Sequence, residues 1–235
     1  MKALILAAGF GSRLAPITDN LPKSLVPVNG EPILFKQIRN LLENGIRDIT
    51  VISGYKANVL ASAVHAAWPD IKIIESVDYA TTNNMYSAYL GMQNTGAEEL
   101  LMMNADVFYD SSVISALLAF QHPNAIVTDI GNYNEESMKV IEREGRIVEI
   151  AKTITREDAL GSSIDVYKFD AEGVTAFYNK CKEYIVDKRE VTKWSEVALC
   201  DILGDVLFKA CPLNGRWLEI DTHEDLAAAE NLFSK

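Results

Sequence analysis

Residues 2–23 read KALILAAGFGSRLAPITDNLPK, and this opening stretch predicts how the fold begins. Its first part, Lys2–Ala8, is a short apolar run typical of a buried β-strand. A turn of small residues follows at Gly9, Gly11 and Ser12. Because glycine has no Cβ, the backbone of such a turn comes close to a ligand, and its N–H groups bind anions. Arg13 and Lys23 add positive charge beside the turn, so the stretch predicts a loop that holds a nucleoside triphosphate.

Two other motifs and one plain structural explanation compete for this glycine turn. A dinucleotide-binding fingerprint needs the pattern G-x-G-x-x-G, but Leu14 stands where the third glycine belongs. A Walker A loop needs G-x-x-x-x-G-K-[ST], and the sequence contains no such run. A strand-to-loop turn without any ligand would account for the two glycines alone. The arginine that follows them and the pair Pro22-Lys23 favour phosphate binding over that plain turn.

The composition argues against several classes of protein. With 235 residues, 49% of them hydrophobic, the chain is long enough for one α/β domain with a sizeable core. A net charge of −11 argues against general binding of nucleic acid or of an anionic membrane. Three cysteines without C-x-x-C spacing indicate ordinary thiols in a reducing compartment. No apolar run reaches the roughly 18–20 residues that span a bilayer, and Ala3–Ala8 lacks the context of a signal peptide, so we expect a cytoplasmic protein.

Segments typical of strands alternate with helical segments, which predicts a Rossmann-like α/β fold with a mostly parallel central sheet flanked by helices. After the first strand, strands are predicted at Ile49–Ser53, Ile71–Glu75, Leu100–Asn104, Ser162–Phe169 and Trp217–Ile220. Helices are predicted at Glu31–Asn44, Ala57–Ala66, Asn83–Gln93, Ser111–Phe120, Ala171–Val186, Glu196–Phe208 and from Thr222 to Phe233. A β-hairpin insertion is predicted at Met138–Arg143 and Ile147–Ala151, around the turn Glu144-Gly145.

Two aspartates stand at the ends of predicted strands, where open α/β sheets bind their ligands. Asp106 follows Leu100–Asn104, and Asp221 ends the segment WLEID before the last predicted helix. Taken singly, Asp106 fits a turn or cap, and Asp221 fits a first-turn carboxylate that the helix dipole favours. Carboxylates at converging strand ends also suit a hard divalent cation such as Mg²⁺ during phosphoryl transfer. The residues alone leave both interpretations open.

The opening stretch as a whole has the form L-x-x-G-x-G-x-R-L…P-K. This pattern resembles the signature of the nucleotidyltransferases that activate small phosphorylated compounds, namely sugar-1-phosphate nucleotidylyltransferases and their cytidylyltransferase relatives. The resemblance extends over essentially the full chain. It implies a nucleotide-diphospho-sugar transferase-like fold and an enzyme that transfers a nucleotidyl group to a phosphorylated acceptor by direct in-line attack.

The resemblance also implies roles for individual residues near the nucleotide. Arg13 and Lys23 would hold the triphosphate and stabilise the leaving pyrophosphate. The family has one metal aspartate after a central strand and a second in a W-x-x-[IV]-D-x-x-x-[DE] segment, which implies Mg²⁺ at Asp106 and Asp221. The nucleotide-binding set that we predict is Leu6, Ala8, Gly9, Gly11, Ser12, Arg13, Lys23, Asn83, Asn84 and Ser87.

The segment Thr81–Ser87 indicates which nucleotide is used. Amides at the start of a helix can donate to and accept from the edge of a base, although simple capping needs only one asparagine. Asn83 and Asn84 followed by Met-Tyr-Ser resemble the choline-phosphate cytidylyltransferase branch of bacterial cell-surface pathways. Sugar enzymes usually have a Gly-Leu-Ala-Gln-like run at this position. We therefore expect CTP as the nucleotide.

The acceptor site is predicted from charged and aromatic residues of the second half of the chain. In the resembling family a lysine just after the hairpin contacts the acceptor phosphate, which implies Lys152, with Lys139 as a second candidate; an exposed strand-end lysine is the plain alternative. Aromatic faces that could surround a quaternary ammonium belong to Tyr133, Tyr167, Trp194 and Trp217. Glu196 and Asp165 could attract an amine. Core or rim packing is the alternative for each aromatic residue.

The expected protein is therefore a single domain over residues 1–235, with a nucleotide half at 1–110 and an acceptor half at 111–235. It would transfer CMP from CTP to a small phosphorylated or phosphonate acceptor resembling phosphocholine. A sugar-1-phosphate nucleotidylyltransferase that uses UTP or dTTP is the nearest alternative; we expect no room for the regulatory C-terminal domain that many sugar enzymes carry. A non-catalytic nucleotide-binding module is an alternative of another class. The sequence is compatible with a monomer or a homodimer and does not identify the acceptor.

Overall fold

The computed structural model of the protein describes residues 1–234. Its strands are β1 (Lys2–Ala7), β2 (Pro27–Val28), β3 (Glu31–Pro32), β4 (Ile49–Ser53), β5 (Lys72–Glu75), β6 (Leu100–Asn104), β7 (Val107–Tyr109), β8 (Ala125–Ile130), β9 (Lys139–Arg143), β10 (Arg146–Ala151), β11 (Gly161–Phe169), β12 (Lys209–Pro212) and β13 (Trp217–Glu219). Its α-helices are α1 (Ile33–Glu43), α2 (Ala57–Ala67), α3 (Asn84–Thr95), α4 (Ser112–Ala119), α5 (Ala171–Lys182), α6 (Ser195–Ile202) and α7 (His223–Leu232). Within residues 1–234, no helix is both long and apolar enough to cross a membrane.

The main sheet has nine strands, and four of them form a parallel core in the order β6-β1-β4-β5. β11 lies antiparallel to β6 and also pairs with β8 and β9. β10 extends the sheet beyond β9 as the second strand of a hairpin, and β12 pairs in parallel with β8. The carboxyl ends of the parallel strands meet at one edge of the sheet, which is where open α/β sheets bind ligands.

Helices cover both faces of this sheet. Apolar side chains of α1, α2 and α4 pack on one face, and those of α3, α5 and α6 pack on the other. Gly91 lies where α3 crosses β1 so closely that a Cβ there would be 2.4 Å from a methyl carbon of Leu4. A third cluster joins α7 to β2 and β7 through Val28, Phe108 and Ala229. The predicted Rossmann-like fold with a mostly parallel central sheet, flanking helices and a hairpin insertion is confirmed.

β11 changes partners along its length. Gly161 and Ser162 pair with β8 and β9, whereas Val166–Phe169 pairs with β6. The register shifts between Ser163 and Tyr167, and Asp165 between them has a φ of +56°. This left-handed conformation is uncommon for a residue other than glycine and marks a β-bulge. The bulge brings the side chain of Asp165 to the cleft described below.

The predicted elements differ from the observed ones in six places. Five strands were not predicted, namely β2, β3, β7, β8 and β12, although residues 125–130 are rich in the β-branched residues that strands favour. The predicted helix Glu196–Phe208 ends at Ile202, because the chain turns at 203–206 and then enters β12. The remaining predicted strands and helices are observed, with bounds that shift by a few residues.

Candidate active site

A cleft opens where β1 and β6 end, between the glycine turn and the start of α3. It consists of two adjoining cavities of about 260 and 310 Å³. One cavity reaches α3, α6, β11 and β13, and the other lies between the glycine turn and Lys23. The residues that line both are Leu6, Gly9, Arg13, Asp106 and Asp221. The cleft therefore joins the opening stretch of the chain to the two predicted metal aspartates.

The glycine turn forms one wall of the cleft. Ala8 lines the first cavity, and Gly11 and Ser12 line the second. Gly11 has a φ of +65°, and a Cβ at this position would lie 2.6 Å from Cβ of Lys23. Glycine is therefore required here both by the left-handed backbone and by the close approach of the lysine.

Two cations of the opening stretch contact carboxylates across the cleft. Nζ of Lys23 lies 2.8 Å from Asp106 Oδ2 and 2.5 Å from Asp221 Oδ1. Nη2 of Arg13 lies 2.7 Å from Asp221 Oδ2. The side chain of Lys23 is 12% exposed and that of Arg13 is 56% exposed. Lys23 is thus enclosed by its partners, whereas Arg13 is free to move toward a ligand.

Main-chain pairing brings the carboxylates together. β13 runs antiparallel to β7, with Glu219 opposite Val107, and the Ile220 amide donates to the Asp106 carbonyl at 2.9 Å. As a result one oxygen from each of Asp106, Glu219 and Asp221 lies within 4.8 Å of the others. Glu219 was not predicted, although its spacing of two residues from Asp221 along a strand indicates a shared face.

The surroundings of Glu219, Asp221 and Lys23 shift the pKa of each of these groups. Burial, and then the charges of Asp106, Asp165 and Asp221, raise the pKa of Glu219 to about 9. Burial alone would raise the pKa of Asp221. Lys23 lowers it more strongly, through its charge and its hydrogen bond, and Arg13 adds to this effect in the same two ways, so the pKa of Asp221 is lowered. Burial alone would lower the pKa of Lys23, and the two aspartates outweigh burial and raise it.

This cluster suits a divalent cation. All its donors are carboxylate oxygens, the ligands that hard cations such as Mg²⁺ prefer. Oδ1 of Asp106 is buried and has no hydrogen-bond partner in the described part of the chain, so one donor is still free for a ligand. A buried acceptor without a partner is costly, and a bound cation would remove that cost.

The start of α3 forms the next wall. Asn83, Asn84 and Ser87 all line the first cavity, together with Tyr79 and Thr82, which were not predicted. The Asn83 side chain accepts from the Asn84 amide as an N-cap. Oδ1 of Asn84 accepts from the Ser195 amide at 2.8 Å, which ties α3 to α6. Both asparagines therefore have structural partners as well as positions beside the cleft, and their contact with a base remains a prediction.

The predicted acceptor residues divide into three groups. Lys152, Trp194 and Glu196 line the cleft, and Nζ of Lys152 lies 5.2 Å from the centroid of the Trp194 ring. Tyr167 and Lys139 are wholly buried and are not among the residues that line it. Tyr133 and Trp217 line a separate groove of about 490 Å³, where the Trp217 indole donates to Asp129 Oδ2.

The hydroxyl of Tyr167 contacts two acidic side chains that line the cleft. Its hydroxyl lies 2.9 Å from Asp165 Oδ1 and 3.0 Å from Glu196 Oε1. Nδ2 of Asn104 donates to Asp165 Oδ2 at 2.9 Å, and Ser195 Oγ donates to Glu196 Oε1 at 3.0 Å. Asn104, which also lines the cleft, was not predicted, because nothing in its position at a strand end separates it from a turn residue.

A comparison with known protein families identifies the chain. The family model described as "Nucleotidyl transferase" matches residues 2–232. The chain belongs to the nucleotidyl transferase family. The resemblance found in the opening stretch is thereby confirmed, and the protein is a nucleotidyltransferase enzyme.

Curated relatives of this nucleotidyltransferase include two cytidylyltransferases. The CTP:phosphoglutamine cytidylyltransferase of Campylobacter jejuni is 27% identical over 248 residues, which cover 96% of this chain and 98% of the relative. The choline-phosphate cytidylyltransferase of Streptococcus pneumoniae is 44% identical over 90 residues, 38% of each chain. The bifunctional protein GlmU of Methanococcus aeolicus is 27% identical over 97% of this chain, but the chain spans only 53% of that relative.

Solved structures agree on the fold. The structure of the CTP:phosphocholine cytidylyltransferase LicC from Streptococcus pneumoniae superposes with a TM-score of 0.79 and covers 99% of both chains at 24% identity. This likeness confirms the nucleotide-diphospho-sugar transferase-like fold. The family acts on a nucleoside triphosphate and a phosphorylated substrate.

Proposed function

We propose that the protein transfers CMP from CTP to a small phosphorylated or phosphonate acceptor similar to phosphocholine, with Mg²⁺ as the cofactor. The observation that carries this proposal is the cleft itself. Arg13 and Lys23 lie beside three carboxylates at the glycine turn, and Lys152 lines the same cleft beside Trp194. Several cations in one cleft with a carboxylate cluster suit the joining of two phosphate-containing substrates.

The proposed reaction is a direct displacement. A phosphate or phosphonate oxygen of the acceptor forms a bond to the α-phosphorus of CTP, and the bond from that phosphorus to the bridging oxygen breaks. Pyrophosphate leaves with the electron pair, and Arg13 and Lys23 stabilise its charge. Lys152 holds the acceptor oxygen in line. In this proposal Asp106, Glu219 and Asp221 hold Mg²⁺, whose charge neutralises that of the reacting phosphate.

The choice of CTP is supported by two observations. The start of α3 places Asn83, Asn84 and Ser87 beside the cleft, where amide and hydroxyl groups can bind the edge of a base. Two curated relatives are named as cytidylyltransferases, one of them matched over nearly its full length. The GlmU relatives support the alternative, a sugar-1-phosphate nucleotidylyltransferase that uses another nucleotide.

The choice of a cationic acceptor is supported by the acidic end of the cleft. Asp165 and Glu196 both line it, and neither carboxylate has a salt-bridge partner within residues 1–234. A choline, ethanolamine or amino-acid head group would bring a positive charge to these carboxylates. A neutral sugar would leave them without such a charge.

The experiment is pyrophosphate release in the presence of Mg²⁺, with four nucleoside triphosphates crossed against four classes of acceptor. The acceptors are phosphocholine, 2-aminoethylphosphonate, phosphoglutamine and several sugar 1-phosphates. We expect turnover with CTP and one non-sugar acceptor. Turnover with UTP or dTTP and a sugar 1-phosphate would overturn the proposal. Nucleotide binding without turnover on any pair would mean that the acceptor lies outside this panel.

A further inference from the structure

Lys23 contacts two of the carboxylates that would hold the divalent cation. Its ammonium group contacts Asp106 Oδ2 at 2.8 Å and Asp221 Oδ1 at 2.5 Å, and these are two of the three carboxylates of the cation cluster. An ammonium group donates to carboxylate oxygens through three N–H groups, so it acts here as an internal substitute for the metal. The two positive charges repel each other, and both cannot be close to the same oxygens.

Lys23 cannot leave this position without a new anionic partner. Its side chain is 12% exposed, and its Cβ packs so closely on the glycine turn that any side chain at Gly11 would collide with it. A buried ammonium that loses its carboxylates without replacement is strongly unfavourable. Water alone is therefore a poor replacement, and a metal ion that arrives alone must displace Lys23 at that cost.

A triphosphate provides the missing partner. Lys23 lines the same cavity as Gly9, Ser12 and Arg13, which is where the phosphates of the nucleotide are expected. Arg13, whose guanidinium now contacts Asp221 Oδ2 at 2.7 Å, is 56% exposed and can turn toward a phosphate in the same way. Once both cations contact phosphate oxygens, the oxygens of Asp106 and Asp221 are free for the metal.

We propose that Lys23 and the divalent cation compete for the same carboxylate oxygens, so that the protein captures the cation together with a nucleoside triphosphate and binds it poorly alone. Lys23 thus has two successive partners, the aspartates before the nucleotide binds and the triphosphate afterwards. The coupling is reciprocal, because a metal that holds the aspartates also releases Lys23 for the phosphates. The proposal rests on the nucleotidyl transfer proposed above, although its test requires neither nucleotide nor acceptor.

The test is binding of Mn²⁺ alone, measured from the signal of free Mn²⁺ in electron paramagnetic resonance. For Lys23→Met we expect at least about 10-fold tighter binding of Mn²⁺ than for the unchanged protein, within the usual range of coupling between two sites. Lys23→Arg keeps the positive charge and should bind Mn²⁺ as weakly as the unchanged protein. Lys2→Met is the matched control, since Lys2 is also ion-paired, with Glu98 at 2.9 Å, but lies outside the cleft.

The outcomes separate this proposal from the proposed function. Equal or weaker Mn²⁺ binding by Lys23→Met, with an unchanged circular dichroism spectrum, would overturn the competition. If Lys23→Met does not fold, Lys23→Gln provides the same uncharged comparison with a polar side chain. Because these samples contain no CTP, a failure of cytidylyl transfer would not alter them.

Discussion

Asp165 Oδ1 lies 2.9 Å from the hydroxyl oxygen of Tyr167, and the same hydroxyl is 3.0 Å from Glu196 Oε1. A phenol has one hydrogen to donate, so it can satisfy one of the two carboxylates at a time. The second contact is favourable when the other carboxyl group is protonated and donates to the phenol. Burial, and then the charges of Glu196 and Asp106, raise the pKa of Asp165 to about 7, so this cluster holds a proton near neutral pH.

This shared proton predicts a pH dependence of stability. Asp165 would titrate near 3.9 in the unfolded chain, so between about pH 4 and pH 7 the folded protein binds more protons than the unfolded one. The contribution of Asp165 to stability is therefore fully present below pH 4 and is lost as the pH rises through 7. In Asp165→Asn, we expect the decline in free energy of unfolding from pH 5 to pH 8 to be smaller by about 1–3 kcal/mol.

Urea denaturation at the two pH values measures this difference. Asp70→Asn, a change at an exposed aspartate, is the control and should leave the decline as it is in the unchanged protein. The same decline in Asp165→Asn and in the control would show that Asp165 is ionised throughout this range.

Loss of one carboxylate from the cation cluster should abolish turnover. In Asp106→Asn, the buried oxygen that lacks a hydrogen-bond partner becomes part of a neutral amide. The carboxylate cluster then has one negative charge fewer with which to bind the cation. We expect kcat to fall by about 1000-fold or more, which corresponds to about 4 kcal/mol of transition-state stabilisation. Steady-state pyrophosphate release checks this, and circular dichroism checks the fold.

A second strand-end aspartate provides the matched control for that change. Asp110 follows β7 and is held by Arg216 at 2.9 Å, away from the residues that line the cleft. Asp110→Asn should lower stability slightly and leave kcat within about twofold. Near-normal turnover in Asp106→Asn would remove Asp106 from the metal site.

The two predicted acceptor lysines should respond differently to substitution. Lys152 lines the cleft, so Lys152→Ala should raise KM for the acceptor by about 10–100-fold while KM for the nucleotide stays unchanged. Lys139 is wholly buried, and its ammonium group donates to the Glu135 carbonyl. Lys139→Met should alter stability rather than KM, since Lys139 is not among the residues that line the cleft. Initial-rate measurements on both variants check this. A raised KM for the acceptor in Lys139→Met, with an unchanged KM in Lys152→Ala, would show that Lys139 contacts the acceptor.

The glycine turn should tolerate no side chain at Gly11. Gly11→Ala introduces a Cβ that would lie 2.6 Å from Lys23 Cβ, and its φ of +65° strains any L-residue. We expect kcat/KM for the nucleotide to fall at least about 10-fold, because Lys23 must shift. Gly30→Ala is the control, since Gly30 also has a positive φ, +84°, but no atom within 4 Å of the added Cβ. Similar kinetics in both variants would mean that backbone strain alone explains the effect.

Local patterns in the sequence were enough to predict the parallel core and the first half of the site. Three features are adjacent in sequence: the apolar run of β1, the glycines after it and Arg13. They are also adjacent in the structure. Asp106 and Asp221 became candidates because they follow strands, and the family resemblance implied their metal role. The structure brings the two side chains together. Such features depend on the strand period and on turn chemistry, which a single sequence displays.

Features that depend on distant pairing were not predictable in the same way. β13 pairs with β7 outside the main sheet, and this places the Trp217 side chain in the separate groove rather than in the cleft. The bulge at Asp165 interrupts the regular pairing of β11, and the residues on either side of it, Ile164 and Val166, are neither glycine nor proline. Tyr167 looks like any aromatic residue of a strand, and only the folded chain reveals the two carboxylates that it holds.

The ribbon of β7 and β13 has a consequence for the order in which the protein matures. Asp106 and Glu219 are separated by 113 positions in the sequence, and the hydrogen bond from the Ile220 amide to the Asp106 carbonyl brings these two segments together. During synthesis, the ribosome releases Asp106 long before its two partner carboxylates exist. A chain in which β13 has not yet docked can offer the cation only one ligand of the three. The three carboxylates of the proposed metal site therefore come together only in a chain whose strand β13 has docked on β7.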